Sequence, residues 1–547
     1  MWSVDRLAGV YAYLAVVLRA AILILQSLIL GGVIFIWWSL RKPSEASPSL
    51  QSAAATANCF RLLRISGLLL AAAHALCLLV NCRGLIRSAG LSIPDIIGAN
   101  FVLAGFIAIC SGLLVAQLPG ISRRRMWPLL VLAFLILASS VMTNHAAARM
   151  DGRCLLIVLT TLHLVAVGAW IGGLPYLRIA VSAAPDEIAC VFAKRFSYVA
   201  TLSVSVLVVS GVAASLKYID NATAIYATSY GVMLAAKGAL FAALLLLGAV
   251  NHRGLRKLSA VSLAPRLKRC VEVEIVIGIT VFLAAASLTS QPPAVDLKGD
   301  RITLSDVYQR MRPTFPRLRT PDVIQISPAS RHVLRQLAFA GRTDDVGAPI
   351  SAAGFANTPS DIAWSEYNHN WVGLMLLVIG LSSCLSRTGK VPVARHWPIV
   401  FLALAVFIFV RADPENWPLG PNGFWESFDQ IEVVQHRAAA LMVVVFAAFE
   451  WRVQHNKAHS PLAPLVFPAV CVFGGALLLT HTHAVVSSQD QVLAELSHTP
   501  LAILAVLAGS MRWLELRLPQ ADAQIPGRVW PVCFMLIGAL LLTYKEG

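Results

Sequence analysis

Runs of about twenty mostly apolar residues, the length that crosses the hydrocarbon core of a bilayer as a helix, recur along this chain. The pattern predicts fourteen such helices. Eight come early, near 14–38, 63–81, 94–117, 128–145, 154–178, 196–216, 231–250 and 271–290. Six come late, near 370–386, 397–411, 432–451, 464–482, 498–512 and 528–544. A polar stretch at about 291–368, punctuated by Pro292-Pro293, Pro313, Pro316, Pro321 and Pro328, separates the two groups. The predicted fold class is therefore all-α, a polytopic transmembrane helical bundle. Its expected regions are an eight-helix membrane domain at 1–293, an extramembrane segment at 294–368 and a six-helix membrane domain at 369–547.

Composition agrees: 57% of the residues are hydrophobic and 13% are charged. A soluble domain carries about 25% charged residues. A soluble enzyme, a disordered chain and a nucleic-acid-binding domain are all poor fits. The net charge of +16 is explained by topology rather than by nucleic acid. Basic residues collect on alternate loops, among them Arg41-Lys42, Arg123-Arg124-Arg125, Lys194-Arg195 and Lys268-Arg269. Later loops of the same set hold Arg387, Lys390 and Arg395, then Arg452 and Lys457, then Arg512, Arg517 and Arg528. The opposite loops hold roughly a third as many. The richer side is then cytoplasmic, which puts both termini and 291–368 outside. Trp37 and Trp38, just before Arg41, read as an interfacial belt. The first span lacks a basic n-region followed by a small-residue cleavage site, so it reads as a retained helix. The ten cysteines form no C-x-x-C pair and read as small buried hydrophobes, not as a disulfide framework.

With charge so scarce, the polar residues inside or beside the spans are the candidates for chemistry. Eight of the thirteen histidines fall on the outer side or in the outer half of the membrane. In the early group these are His74, His145 and His163, the last roughly 14 Å down its span. In the late group they are His369, His436, His481, His483 and His498. Glu432 precedes His436 by four residues and Glu495 precedes His498 by three, spacings that share a helical face and build metal sites in bundles. His481 and His483 would converge only if the chain leaves helix there. The outer loop 411–431 is acidic, with Asp413, Glu415, Glu426 and Asp429, a mouth that attracts cations. Imidazole suits copper, zinc, iron and nickel, and soft sulfur favours Cu(I). Met142, three residues before His145, and Cys77, three after His74, tilt the early group toward Cu(I). The candidate metal residues are thus His74, Met142, His145, His163, Glu432, His436, His481, His483, Glu495 and His498. Lys237 is buried in the seventh span, and Asn251-His252, Glu272 and Glu274 gather at one inner level. Trp170-Ile171-Gly172-Gly173 supplies small residues for close helix packing.

Several of these motifs occur in a familiar order. Thr143-Asn144-His145-Ala146-Ala147 is followed by Leu162-His163-Leu164 and Ala169-Trp170-Ile171-Gly172-Gly173-Leu174. Arg195-Phe196-Ser197, Lys237, Asn251 and Glu274 come next, then Leu288-Thr289-Ser290-Gln291-Pro292-Pro293. Over about 14–293 the chain resembles the copper resistance protein D (CopD/PcoD) family. The late group resembles the C-terminal extension of long CopD-like proteins through Asp413-Pro414-Glu415-Asn416-Trp417-Pro418, Gln435-His436-Arg437, Thr480-His481-Thr482-His483 and Ser497-His498-Thr499-Pro500. The resemblance implies a multi-pass protein of the bacterial inner membrane that moves copper, with uptake toward the cytoplasm as the usual direction. It also implies a periplasmic copper-binding partner of the CopC type. Segment 291–368 has only His332 and Met311 as soft ligands, so such a partner would be a separate chain.

Three readings follow. In a copper permease, the ion is collected at the outer His/Glu cluster and passed down via His145, Met142, His74 and His163. No P-loop or aspartyl-phosphorylation motif is present, so a gradient or thermal motion drives it, and the protein is not an enzyme. In a membrane haem protein, His74 and His163 would be axial ligands. In a dinuclear oxidoreductase or storage site, Glu432, Glu495, His436 and His498 would hold the metals. Copper transport is the reading the resemblance supports.

Overall fold

A computed structural model describes residues 4–40, 50–118, 126–257, 260–297, 299, 301–321, 359–414, 416–429, 431–455, 460, 462–480 and 489–546. The regular secondary structure of the described residues is helical, with no strand beyond a single isolated bridge between Asn416 and Asn422. Ten of their helices are long and apolar enough to cross a membrane. Three shorter apolar helices, 127–142, 398–411 and 463–478, and the helix Ile431–Gln454 stand where the remaining predicted spans fall. The backbone needs this: apolar helices satisfy every amide internally, so their side chains can face lipid. All ten cysteines are free.

The chain divides into two compact units, one of residues 1–303, 475–503 and 517–521 and the other of 304–474, 504–516 and 522–547. The first unit holds α1 (Val4–Trp38), α2 (Leu50–Ala89), α3 (Ile93–Ile97), α4 (Asn100–Gln117), α5 (Trp127–Met142) and α6 (His145–Ala148). It continues with α7 (Arg153–Val167), α8 (Leu174–Ala183), α9 (Asp186–Tyr218), α10 (Ala224–Ala227), α11 (Ser229–Lys257) and α12 (Ala260–Thr289). Helix α1 is central, touching α2, α5, α7, α8 and α12.

Glycine makes two of these contacts close. Between α7 and α8 the chain forms a π-turn, Gly168–Gly172, that lies against α1. A Cβ at Gly172 would overlap the carbonyl oxygen of Ser27. A Cβ at Gly67 of α2 would sit 2.6 Å from the carbonyl oxygen of Gly112 in α4. Without hydrophobic drive between helices in lipid, such backbone approach supplies the van der Waals contact. The Trp170-Ile171-Gly172-Gly173 motif is thus a packing element, with Trp170 buried edge-on against Phe241.

The second unit holds α13 (Leu304–Met311), α14 (Pro359–Arg387), α15 (Pro398–Arg411), α16 (Ile431–Gln454), α17 (Val466–Leu478) and α19 (Gln520–Leu542). Helix α18 (Gln489–Arg517) is divided between the two units, and the last residues of α17 and the first of α19 fall in the first unit. The second unit's core is aromatic, with Trp397, Phe401, Phe446, Phe467, Trp530 and Phe534 in mutual ring contact. Beside it, Arg512 is buried between Glu450 and Glu515, and Glu515 also takes Arg387 and the Trp530 indole N–H.

Candidate functional site

In the first unit, the starts of α1 and α4 meet the ends of α2, α5 and α12 around a cavity of about 540 Å³. Its apolar wall includes Ile22, Leu23, Leu78 and Phe101. Its polar wall is Arg19, His74, Cys77, Asn81, Ser139, Ser140, Thr143 and Asn144. Residues 74, 77 and 81 lie three and four apart on α2, so one helical face presents all three. The Asn81 amide donates to Cys77 Sγ at 3.4 Å. The Arg19 guanidinium donates to the carbonyl of Thr289, the last residue of α12, at 2.7 Å. That carbonyl is one of the four that a helix end leaves unbonded, so Arg19 caps α12. No Asp or Glu lines the cavity among the described residues.

Of the other early candidates, Met142 and His163 lie apart from this wall. Met142 is half exposed and does not line the cavity. His145 opens the short helix α6, and its side chain lies outside the described residues. His163 of α7 sits across from α9, with Nδ1 at 3.1 Å from Ser210 Oγ and its ring over Gly211. Lys237 of α11 is near enough to act on His163 electrostatically.

At the opposite end of this unit the polar residues pair tightly. Glu274 accepts from the Asn251 amide, both buried. Glu272 gathers Arg178 at 2.8 Å, Arg269 at 2.9 Å and Arg517 at 3.6 Å. Ser197 Oγ meets His252 Nδ1 at 2.9 Å. Glu495, also in this unit, is buried and accepts from Gln491 at 3.0 Å and Gln291 at 3.4 Å. His498 turns Nδ1 to the carbonyl of Ala494, 2.8 Å away.

In the second unit, His436 Nδ1 lies 2.8 Å from Asp413 Oδ1. The neighbouring Arg437 is packed among the rings of Phe409, Phe424 and Phe428. The side chain of Glu432, and His481, His483, Glu415 and His332 altogether, lie outside the described residues. Near the chain's end, Glu546 accepts from Ser365 and Tyr544, each at 2.7 Å, and faces Arg310 at 3.7 Å. Burial alone would raise the Glu546 carboxyl. These hydrogen bonds and the Arg310 charge outweigh it and hold the group below its usual range. Among the described residues, no group of three or more His, Cys, Asp or Glu side chains is arranged to hold a metal.

Sequence reading found His74 because a histidine in an apolar run stands out. It passed over Arg19, whose signal was equally present: a lone arginine five residues into the first predicted span. It also passed over Asn81 and Ser210, which are unremarkable in sequence and gain meaning only from what they touch.

Long apolar helices around a polar-walled cavity define a polytopic helical membrane protein. Residues 191–288 match the model of the Copper resistance protein D family. The chain is also similar to the Copper transport protein CutJ of Bacillus subtilis (strain 168), 31% identical over 218 residues. That match spans 38% of this chain and 38% of the relative, so the chain covers well under two thirds of the relative's length. No solved structure matches the chain. Over residues 191–288 the chain is thus similar to CopD-family proteins, the family whose motif order the early helices resemble.

Proposed function

We propose that this protein transports copper across the bacterial inner membrane, toward the cytoplasm, as a permease rather than an enzyme. The observation that carries this reading is the cavity with His74 on its polar wall, in the same unit as the CopD-matching segment. A transported ion needs few donors that release it, and single histidines at separate depths suit that better than a closed ligand cage. Fourteen spans with both termini outside would put the cavity mouth and the Asp413–His436 pair on the periplasmic side. The Glu272 and Glu274 clusters would lie at the cytoplasmic side. Copper would enter past His145 and Met142, reach His74 and descend to His163. A separate CopC-like protein would deliver it, and the late helices would add outer donors through Glu432, His436, His481, His483, Glu495 and His498.

The test is copper uptake into proteoliposomes, with an absorption spectrum of the same sample. Uptake that saturates with copper, and no Soret band, supports the reading. Absence of uptake above empty vesicles sinks it, and a Soret band would favour the haem alternative.

A further inference from the structure

The cavity wall combines one soft sulfur donor and one imidazole with one fixed cation and no carboxylate. We propose that it is a Cu(I)-selective site in which Cys77 Sγ and a His74 ring nitrogen are the two metal donors. This deepens the copper-transport reading and rests on it.

Position supports the pair. One helical turn of α2 carries both residues, about 4.5 Å apart along the axis, and both side chains face the same cavity. Asn81, one turn further on, donates to Cys77 Sγ and orients the sulfur. An amide can orient a sulfur without competing for copper, because it is a poor ligand for a soft ion.

Donor chemistry and charge select the ion. Thiolate favours Cu(I), and a thiolate with one imidazole can complete a two-coordinate site. The guanidinium of Arg19 is anchored to the end of α12 and shares the cavity with Cys77 closely enough to interact with it. A divalent cation at the same place meets twice the repulsion of a monovalent one. Zn(II) also accepts thiolate and imidazole but favours four ligands, and the described lining offers no His, Cys, Asp or Glu beyond His74 and Cys77. On binding, Cu–S and Cu–N bonds form, the thiol proton leaves to cavity water, and copper stays Cu(I). The loaded site keeps the Arg19 charge unneutralised, which limits affinity and suits a station that must release its ion.

The experiment uses the full chain in lipid nanodiscs, loaded with Cu(I) under reducing conditions and titrated with a Cu(I)-specific chelator. X-ray absorption reports sulfur in the copper shell. Cys77→Ser should weaken Cu(I) binding at least tenfold and lose the sulfur signal, while Cys77→Met should keep sulfur scattering. Cys82→Ser, on the same helix outside the lining, should behave as wild type. Tenfold excess Zn(II) should not displace copper from wild type, and Arg19→Gln should narrow that discrimination. Unchanged affinity and sulfur signal in a folded Cys77→Ser, or ready displacement by Zn(II), overturns the proposal. Uptake by the same preparations separates the two ideas. If wild type takes up copper while Cys77→Ser binds Cu(I) like wild type, only the Cys77 site falls. If wild type takes up none, the transport reading falls.

Discussion

Ser210 Oγ lies 3.1 Å from Nδ1 of His163, across the α7–α9 contact. The same hydroxyl lies 2.7 Å from the carbonyl of Val206, which takes its hydrogen. Toward the imidazole it can then only accept. Nδ1 carries the ring proton and Nε2 keeps its lone pair. A second group that fixes the tautomer in this way is what a metal-ligating histidine uses.

This pair gives the first prediction. His163→Ala should abolish copper uptake with normal amounts of protein in the membrane. Ser210→Ala should lower uptake about tenfold to a hundredfold, the usual effect of losing such a partner. Wild-type uptake in His163→Ala would take the residue off the path.

Asp413 holds His436 in the same manner at 2.8 Å, at a half-exposed position. Asp413→Asn should raise the copper concentration for half-maximal uptake several-fold and leave the maximal rate near wild type, because capture at a mouth is a binding step. Equal losses in both parameters would place the pair elsewhere in the cycle.

The buried Arg512 faces Glu450 and Glu515. Arg512→Leu strands the Glu450 charge and should cost about 3–5 kcal/mol. Removing Arg512 and Glu450 together for apolar residues should recover most of that. Thermal unfolding in detergent measures both. A single variant as stable as wild type would show that the network contributes nothing.

Gly172 lies where any side chain meets Ser27 backbone. Gly172→Ala forces the π-turn off α1 and should destabilise by about 1–3 kcal/mol, read as a lower Tm and less protein in the membrane. Gly474, with open space around its Cα, is the control and tolerates Ala.

Glu546 has its folded pKa held below the unfolded value. Its contribution to stability is therefore present above the unfolded pKa and is lost as pH falls through the folded one. The Tm difference between wild type and Glu546→Gln should be full at pH 7 and shrink in acid. A difference that grows in acid would reverse the sign.

Helix positions were legible because apolar runs are a one-dimensional signal; helix ends were less so. The run at 63–81 lies inside α2, Leu50–Ala89, since helix continues through polar flanks that hydropathy does not score. The run at 154–178 is interrupted by the π-turn at Gly168–Gly172, which no apolar count reveals. Glu495 and His498 share a helical face as their spacing predicts, yet each is hydrogen-bonded to a different neighbour.

The sequence alone determined that this is a helical membrane protein, because burial in lipid demands long apolar segments whatever their arrangement. It also marked His74, because ionisable groups are rare in such segments. Only the tertiary structure decided that Arg19, Cys77 and Asn81 share a cavity with it, and that Ser210 fixes the His163 ring. Those relations depend on which helix faces meet, and side-chain packing between distant segments sets that.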